Sequence, residues 1–172
     1  AYSPEDDVCD ADLGDERRTQ RYVAIVEALS HRPDASVPEA FEDEASRQGY
    51  YRFMRHPSIA YEDLLEPHYE ATRQRAERLD TVLCIHDTTQ FAFPLHDERR
   101  DDLARLSSNR QGFQWHSSLV CSADRTRAPL GLAHTQPFVH LDDLDDDDRE
   151  FWDERGGTYP DNEKWRWMEA GE

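Results

Sequence analysis

Apolar residues recur at helical spacing in the first half of the chain and at alternating spacing in the second. From Glu16, the stretch ERRTQRYVAIVEALSH places Tyr22, Val23, Val26 and Leu29 on one side of a helix. Asp15 stands in front of it as an N-cap, since a short carboxylate satisfies open N–H groups of the first turn. Pro33 ends this helix. Residues 34–57 predict a short helical turn and then a second helix of about 12 residues, which stops before Pro57 because a residue preceding proline avoids the α region. On that second helix Tyr51 and Met54 are expected to pack inward. Residues 61–79, YEDLLEPHYEATRQRAERL, predict a third helical region, with Pro67 either breaking it or starting its second part.

After Asp80 the period changes. TVLCIHDTTQFAF (81–93), FQWHSSLVCSA (113–123) and APLGLAHTQPFVH (128–140) read as strands, the first as a buried one. DERRDDLARLSSNRQG (97–112) joins the first pair, and DRTR (124–127) closes a hairpin between the second pair. Trp115 reads as sheet packing, with Phe113 beside it on the other face. The fold class is therefore α+β: a helical domain over residues 1–79, then an antiparallel meander opening a second domain over 80–172. Residues 141–163 read as an acidic, solvated loop, because the like charges of DDLDDDD (142–148) repel one another. That run lacks the glycine and distal glutamate of a calcium loop. A helix start is expected at NEKWRWM (162–168).

Composition changes this picture in two ways. The chain has 172 residues, 37% of them hydrophobic, with four Trp, seven Tyr and seven Phe, which suits one or two small folded domains. No apolar run approaches the roughly 20 residues of a membrane helix, and no basic-then-apolar leader is seen, so a membrane role is not expected. Cys9, Cys84 and Cys121 lack metal-type spacing and read as free thiols in a reducing cytoplasm. The net charge is −18, and only one of the 20 basic residues is a lysine, Lys164. Such acidity argues against nucleic acid, whose phosphates are held by Lys and Arg. Residues 1–79 nevertheless hold 10 of the basic residues, all arginine, against 18 acids, so a local basic patch stays open. Adaptation to high salt and a GC-rich genome both account for the composition.

The candidate chemistry is sparse. Asp87 stands inside the first strand, either capping the following turn or ligating a metal. A buried carboxylate is costly unless it is paired or coordinates a cation, and Mg²⁺ takes such oxygens together with waters that Thr88 and Thr89 can hold. Arg17, Arg18 and Arg21 fall within about one helical turn, either as a solvated face or aimed at one run of phosphates. Arg52 and Arg55 lie one turn apart, as phosphate or base contacts or as members of intramolecular ion pairs. His86, His116, His134 and His140 match no zinc spacing; His116 and His134 fall inside strands and read as structural.

Five short blocks carry a resemblance: LGDERRTQR (13–21), YYRFMRHP (50–57), HDTTQF (86–91), WHSSLV (115–120) and GLAHTQPF (131–138). In this order they resemble the bacterial cut-and-paste transposases, which carry an Asp-Asp-Glu triad on an RNase H-like core. The resemblance implies that the helical domain recognises the terminal repeats of a transposon, which favours DNA contact by Arg17, Arg18 and Arg21, with Arg52 and Arg55 as further candidate contacts. It implies that Asp87 is the first catalytic, metal-binding aspartate, that Mg²⁺ is the cofactor, and that a homodimer forms in a synaptic complex at the nucleoid. The triad's second aspartate and its glutamate are not found; Asp161 and Glu163 follow Pro160 in a loop-like stretch and are not assigned. The chain reads as the first part of such an enzyme, inactive alone. The alternatives are a truncated, inactive DNA-binding or regulatory protein and an acidic interaction module with no DNA role.

Overall fold

The computed structural model describes residues 3–95 and 103–139. The expected acidic loop, the helix start at 162–168, Asp161, Glu163 and His140 lie outside the described residues. The chain divides into two compact units, Ala1–Arg78 and Leu79–Glu172.

The first unit is helical. A 3-10 turn, Pro4–Asp7, precedes α1 (Glu16–His31), α2 (Val37–Ala40), α3 (Glu44–Met54) and α4 (Tyr61–Ala76). Each of the first three helix starts has a chemical cause. The Asp15 carboxylate accepts the Arg17 N–H at 2.8 Å, as expected of a cap. Ser36 and Glu39 form a capping box at α2, and the Asp43 carboxylate accepts the Ser46 N–H at 2.8 Å at α3. Pro67 neither breaks nor restarts α4, which runs through it without interruption. The core gathers Val8, Ala11, Leu13, Tyr22, Ile25 and Phe53, with Val23, Val26 and Leu29 packed against it. Tyr22 stacks on Phe53 at 5.9 Å and donates its hydroxyl to the Leu64 carbonyl at 2.6 Å. Burial pushes the Tyr22 phenol up to about 12.

The inward residues of α3 differ from expectation. Phe53 is buried, whereas Tyr51 and Met54 are 39% and 54% exposed. Gly49 and Phe53 are one turn apart and take the inner side, which turns residues 51 and 54 outward. Behind the core, Asp7 ties the first turn to α4. Its buried carboxylate takes a bidentate grip from Arg75, at 2.6 and 2.8 Å, and contacts His68 Nδ1 at 2.8 Å.

The second unit is an antiparallel sheet of β1 (Val82–Pro94), β2 (Ala104–Ser107), β3 (Arg110–Ser122) and β4 (Pro129–Phe138). β3 is central: β1 pairs along its whole length, while β2 and then β4 pair with successive parts of it. The expected connection 97–112 therefore contains a strand, β2, too short for its alternation to register in the sequence. The hairpin at residues 124–127 forms as expected. The Asp124 carboxylate accepts the Thr126 N–H at 2.8 Å and Arg127 takes φ 50°, closing the turn. Hydrogen bonds, first from the Thr126 hydroxyl, hold the Asp124 carboxyl below its usual range.

Glycine is obligatory at residue 112, where a Cβ would stand 1.9 Å from the Phe91 carbonyl oxygen. Two sequence expectations fail in this sheet. β1 is not buried: Leu83, Ile85, Phe91 and Phe93 are all substantially exposed. Phe113 and Trp115 share a face, meeting edge to face at 6.4 Å, because residues two apart on a strand point the same way.

Candidate nucleic-acid interface

The inward pair Gly49 and Phe53 sets what α3 presents outward. Gln48, Tyr51, Arg52 and Arg55 fall at i, i+3, i+4 and i+7, so they share one side of the helix. Together they line an open recess of about 480 Å³. All four are exposed. The Arg52 and Arg55 guanidinium groups make no hydrogen bond or ion pair among the described residues. The Gln48 amide is held over the preceding turn by Glu44, 3.0 Å away. A long amide, a phenol and two cations on one helical ridge form a set suited to phosphates and base edges. Reasoning from sequence found the two arginines but missed Gln48 and turned Tyr51 inward. The helical spacing of 48, 51, 52 and 55 was the available signal.

The three arginines of α1 are not equivalent. Arg17 is exposed in the first turn, where its backbone N–H is capped by Asp15. Arg18 turns back, and its Nη1 donates to the Leu13 carbonyl at 2.8 Å, fixing the chain as it enters the helix. Thr19 adds a second tie, to the Ala11 carbonyl at 2.7 Å. Arg21 lies one turn beyond Arg17, and its guanidinium reaches across to Gly49 on α3. Carboxylates gather elsewhere in the unit: Asp6, Asp7, Asp10, Asp12, Asp63, Glu66 and Glu70 line a separate cleft beside α4. That cleft shares no residue with the α3 ridge, where Glu44 is the carboxylate in contact.

Asp87 occupies the middle of β1 and is exposed. Contrary to the expected burial, its carboxylate faces outward, so no buried charge needs a partner. Across the sheet Asp87 pairs with Ser117, and Ser117 with Thr135, so an oxygen-bearing row crosses three strands. Apolar side chains, Ile85 and Leu83, continue the same face of β1. A hard divalent cation takes about six oxygen ligands. Among the described residues no group of three or more His, Cys, Asp or Glu side chains could hold a metal ion. The Asp87 row therefore does not make a complete Mg²⁺ site by itself.

The opposite face of the sheet carries the histidines. Ser118 is fully buried and its hydroxyl meets His86 Nδ1 at 2.9 Å. His116, 1% exposed, contacts the Thr88 hydroxyl at 2.9 Å and stacks on His86 at 5.6 Å. His134 pairs with Ser118 in the register. Thr88, expected beside Asp87 as a holder of waters, is turned to this face.

No described helix is long and apolar enough to cross a membrane. Residues 4–59 match the family model described as transposase DNA-binding, a span that runs from the first turn through α1, α2 and α3 to Ile59. The match supports a transposase and a DNA-binding role for the helical unit.

Proposed function

We propose that this chain is the N-terminal part of a cut-and-paste DNA transposase that binds the ends of its element through the helical unit. The ridge Gln48, Tyr51, Arg52 and Arg55, lying inside the matched span, is the observation that carries this reading. Arg17 and Arg21 extend the cationic contact along α1, while Arg18 serves the fold. The sheet unit is the opening of an RNase H-like core, and Asp87 is its first metal-binding carboxylate. Two further carboxylates must converge on Asp87 for Mg²⁺ to be held, and the described residues do not supply them.

Electrophoretic shift of the chain on inverted-repeat ends, over several salt concentrations, tests the DNA role. The double variant Arg52→Glu, Arg55→Glu should lose binding while keeping its helical circular dichroism. Each arginine that no longer neutralises a phosphate should lower the salt slope by about one. Unchanged affinity and slope in that variant would reduce the ridge to a solvated face. Mg²⁺ titration tests the second part: binding should be weak and should vanish in Asp87→Ala. Tight binding that survives the substitution removes Asp87 from the site.

A further inference from the structure

Gly49 is a buried glycine in the interior of α3, a position where glycine costs about 0.5–1 kcal/mol relative to alanine. Its backbone is ordinary helix, so conformational freedom does not explain it. The surroundings do. A Cβ at this position would stand 3.0 Å from Arg21 Nη1, 3.2 Å from Arg21 Cζ and 3.5 Å from Arg21 Nε. Three atoms of one guanidinium at nearly equal distance mean that the planar group lies flat over the bare helix surface. Glycine is here a seat for Arg21.

The seat has two consequences. It brings α1 and α3 together at one point, between Arg21 and Gly49. It also turns the Arg21 cation toward a recess that it lines together with Glu42, Asp43 and Ser46, distinct from the recess of Gln48, Tyr51, Arg52 and Arg55. Arg21 stays exposed, so its outer side faces solvent while its inner side rests on α3. Asp43, the cap of α3, adds a Coulomb attraction toward the same guanidinium.

We propose that Gly49 is a positioning residue for DNA binding: its missing side chain seats the Arg21 guanidinium flat against α3, fixing where that cation stands to meet a phosphate. The inference rests on the DNA-binding reading of the helical unit. It makes stability and binding move in opposite directions. Gly49→Ala removes a helix-destabilising glycine and meets only the flexible end of an arginine, so thermal stability should hold or rise. The guanidinium must nevertheless give way, and DNA affinity should fall. Gly49→Leu fills the seat altogether and should weaken binding about tenfold, the scale of one charge-assisted hydrogen bond, with a salt slope lower by about one.

A double-mutant cycle on the full chain separates positioning from packing. Affinity for inverted-repeat DNA and melting temperature are measured for the wild type, Gly49→Ala, Arg21→Ala and the double variant. The expected result is that Gly49→Ala weakens binding in the wild type and has no further effect once Arg21 is alanine. Additive effects, unchanged binding in Gly49→Ala, or parallel falls in stability and binding would each overturn the inference. If the wild type binds DNA and Gly49→Ala binds equally well, only this inference falls. If the wild type does not bind at low salt, the DNA-binding reading falls with it.

Discussion

The helical unit and the sheet unit solve burial differently. The first buries apolar side chains, Tyr22, Ile25 and Phe53 among them, and leaves Arg17, Arg21, Arg52 and Arg55 outside. The second buries Gln111, His116, Ser118, Ser122 and Thr135 alongside Val120, Cys121 and Phe138, yet exposes Leu83, Ile85, Phe91 and Phe93. In the first unit burial mostly follows residue type, the buried polar side chains being Asp7, held by Arg75, and Thr72, which donates to the His68 carbonyl. In the second it follows position in the sheet, since β3 is flanked on both sides and β1 on one. The polar side chains of β3 are tolerated because they find partners across the strands, as Ser118 does in His86 and His116 in Thr88.

Two phenylalanines test that difference most directly. Phe53→Ala should cost the helical unit about 3–5 kcal/mol, the usual range for a buried phenylalanine. Phe91→Ala should cost the sheet unit only about 1 kcal/mol, because the ring is 42% exposed and gives up chiefly its stacking on Phe113. Among the described residues the tryptophan is Trp115, on β3, so with Trp152, Trp165 and Trp167 replaced by phenylalanine the fluorescence follows the second unit, while ellipticity at 222 nm follows the helices. Urea titrations read by both probes give the two costs separately. Equal destabilisation by the two substitutions would break the comparison.

Glycines sharpen it. Gly49→Ala should be neutral or stabilising in the helical unit, because alanine is the better helix former and only a flexible arginine stands in its way. Gly112→Ala should destabilise the sheet unit by about 3 kcal/mol, since its Cβ would meet the Phe91 carbonyl and the backbone would have to move. The tryptophan-monitored midpoint should fall and the 222 nm midpoint should stay. A Gly112→Ala chain with an unshifted tryptophan midpoint would mean that β1 is not held at this distance from β3.

How far the sequence could be read follows the same line. The helices of the first unit were legible because their causes are local. Asp15, Asp43 and the prolines act within one turn, and the periodicity that placed Tyr22, Val23, Val26 and Leu29 is internal to one segment. Ile25 was missed, and Tyr51 and Met54 were turned the wrong way, because which side of α3 faces inward depends on α1. The three long strands were legible from their alternation. β2 was not, since four residues carry almost no period and it is recognised only by its pairing with residues 110–112 of β3. The exposure of β1 depends on its place in the sheet, which no local pattern encodes. Arg52 and Arg55 were readable as candidates, whereas the seat for Arg21 required knowing that Gly49 faces it.

The smallest expected effect is a titration confined to the helical unit. Tyr22 carries its phenol among buried side chains and donates to the Leu64 carbonyl. Burial raises its pKa from 10.0 to about 12 in the folded state. Below pH 10 the phenol is neutral in both folded and unfolded chains, so it adds no pH dependence. Between pH 10 and about 12 the unfolded chain releases the proton while the folded chain keeps it, so stability falls as pH rises. Tyr22→Phe removes both the hydrogen bond and the titration. At neutral pH the wild type should be the more stable by about 1 kcal/mol, the net worth of one hydrogen bond. That advantage should shrink as pH rises past 10, and only in the 222 nm signal, with the tryptophan midpoint the same in both proteins. A gap between wild type and Tyr22→Phe that stays constant from about pH 8 to about pH 12 would place the phenol in water and remove Tyr22 from the core that separates the two units' modes of burial.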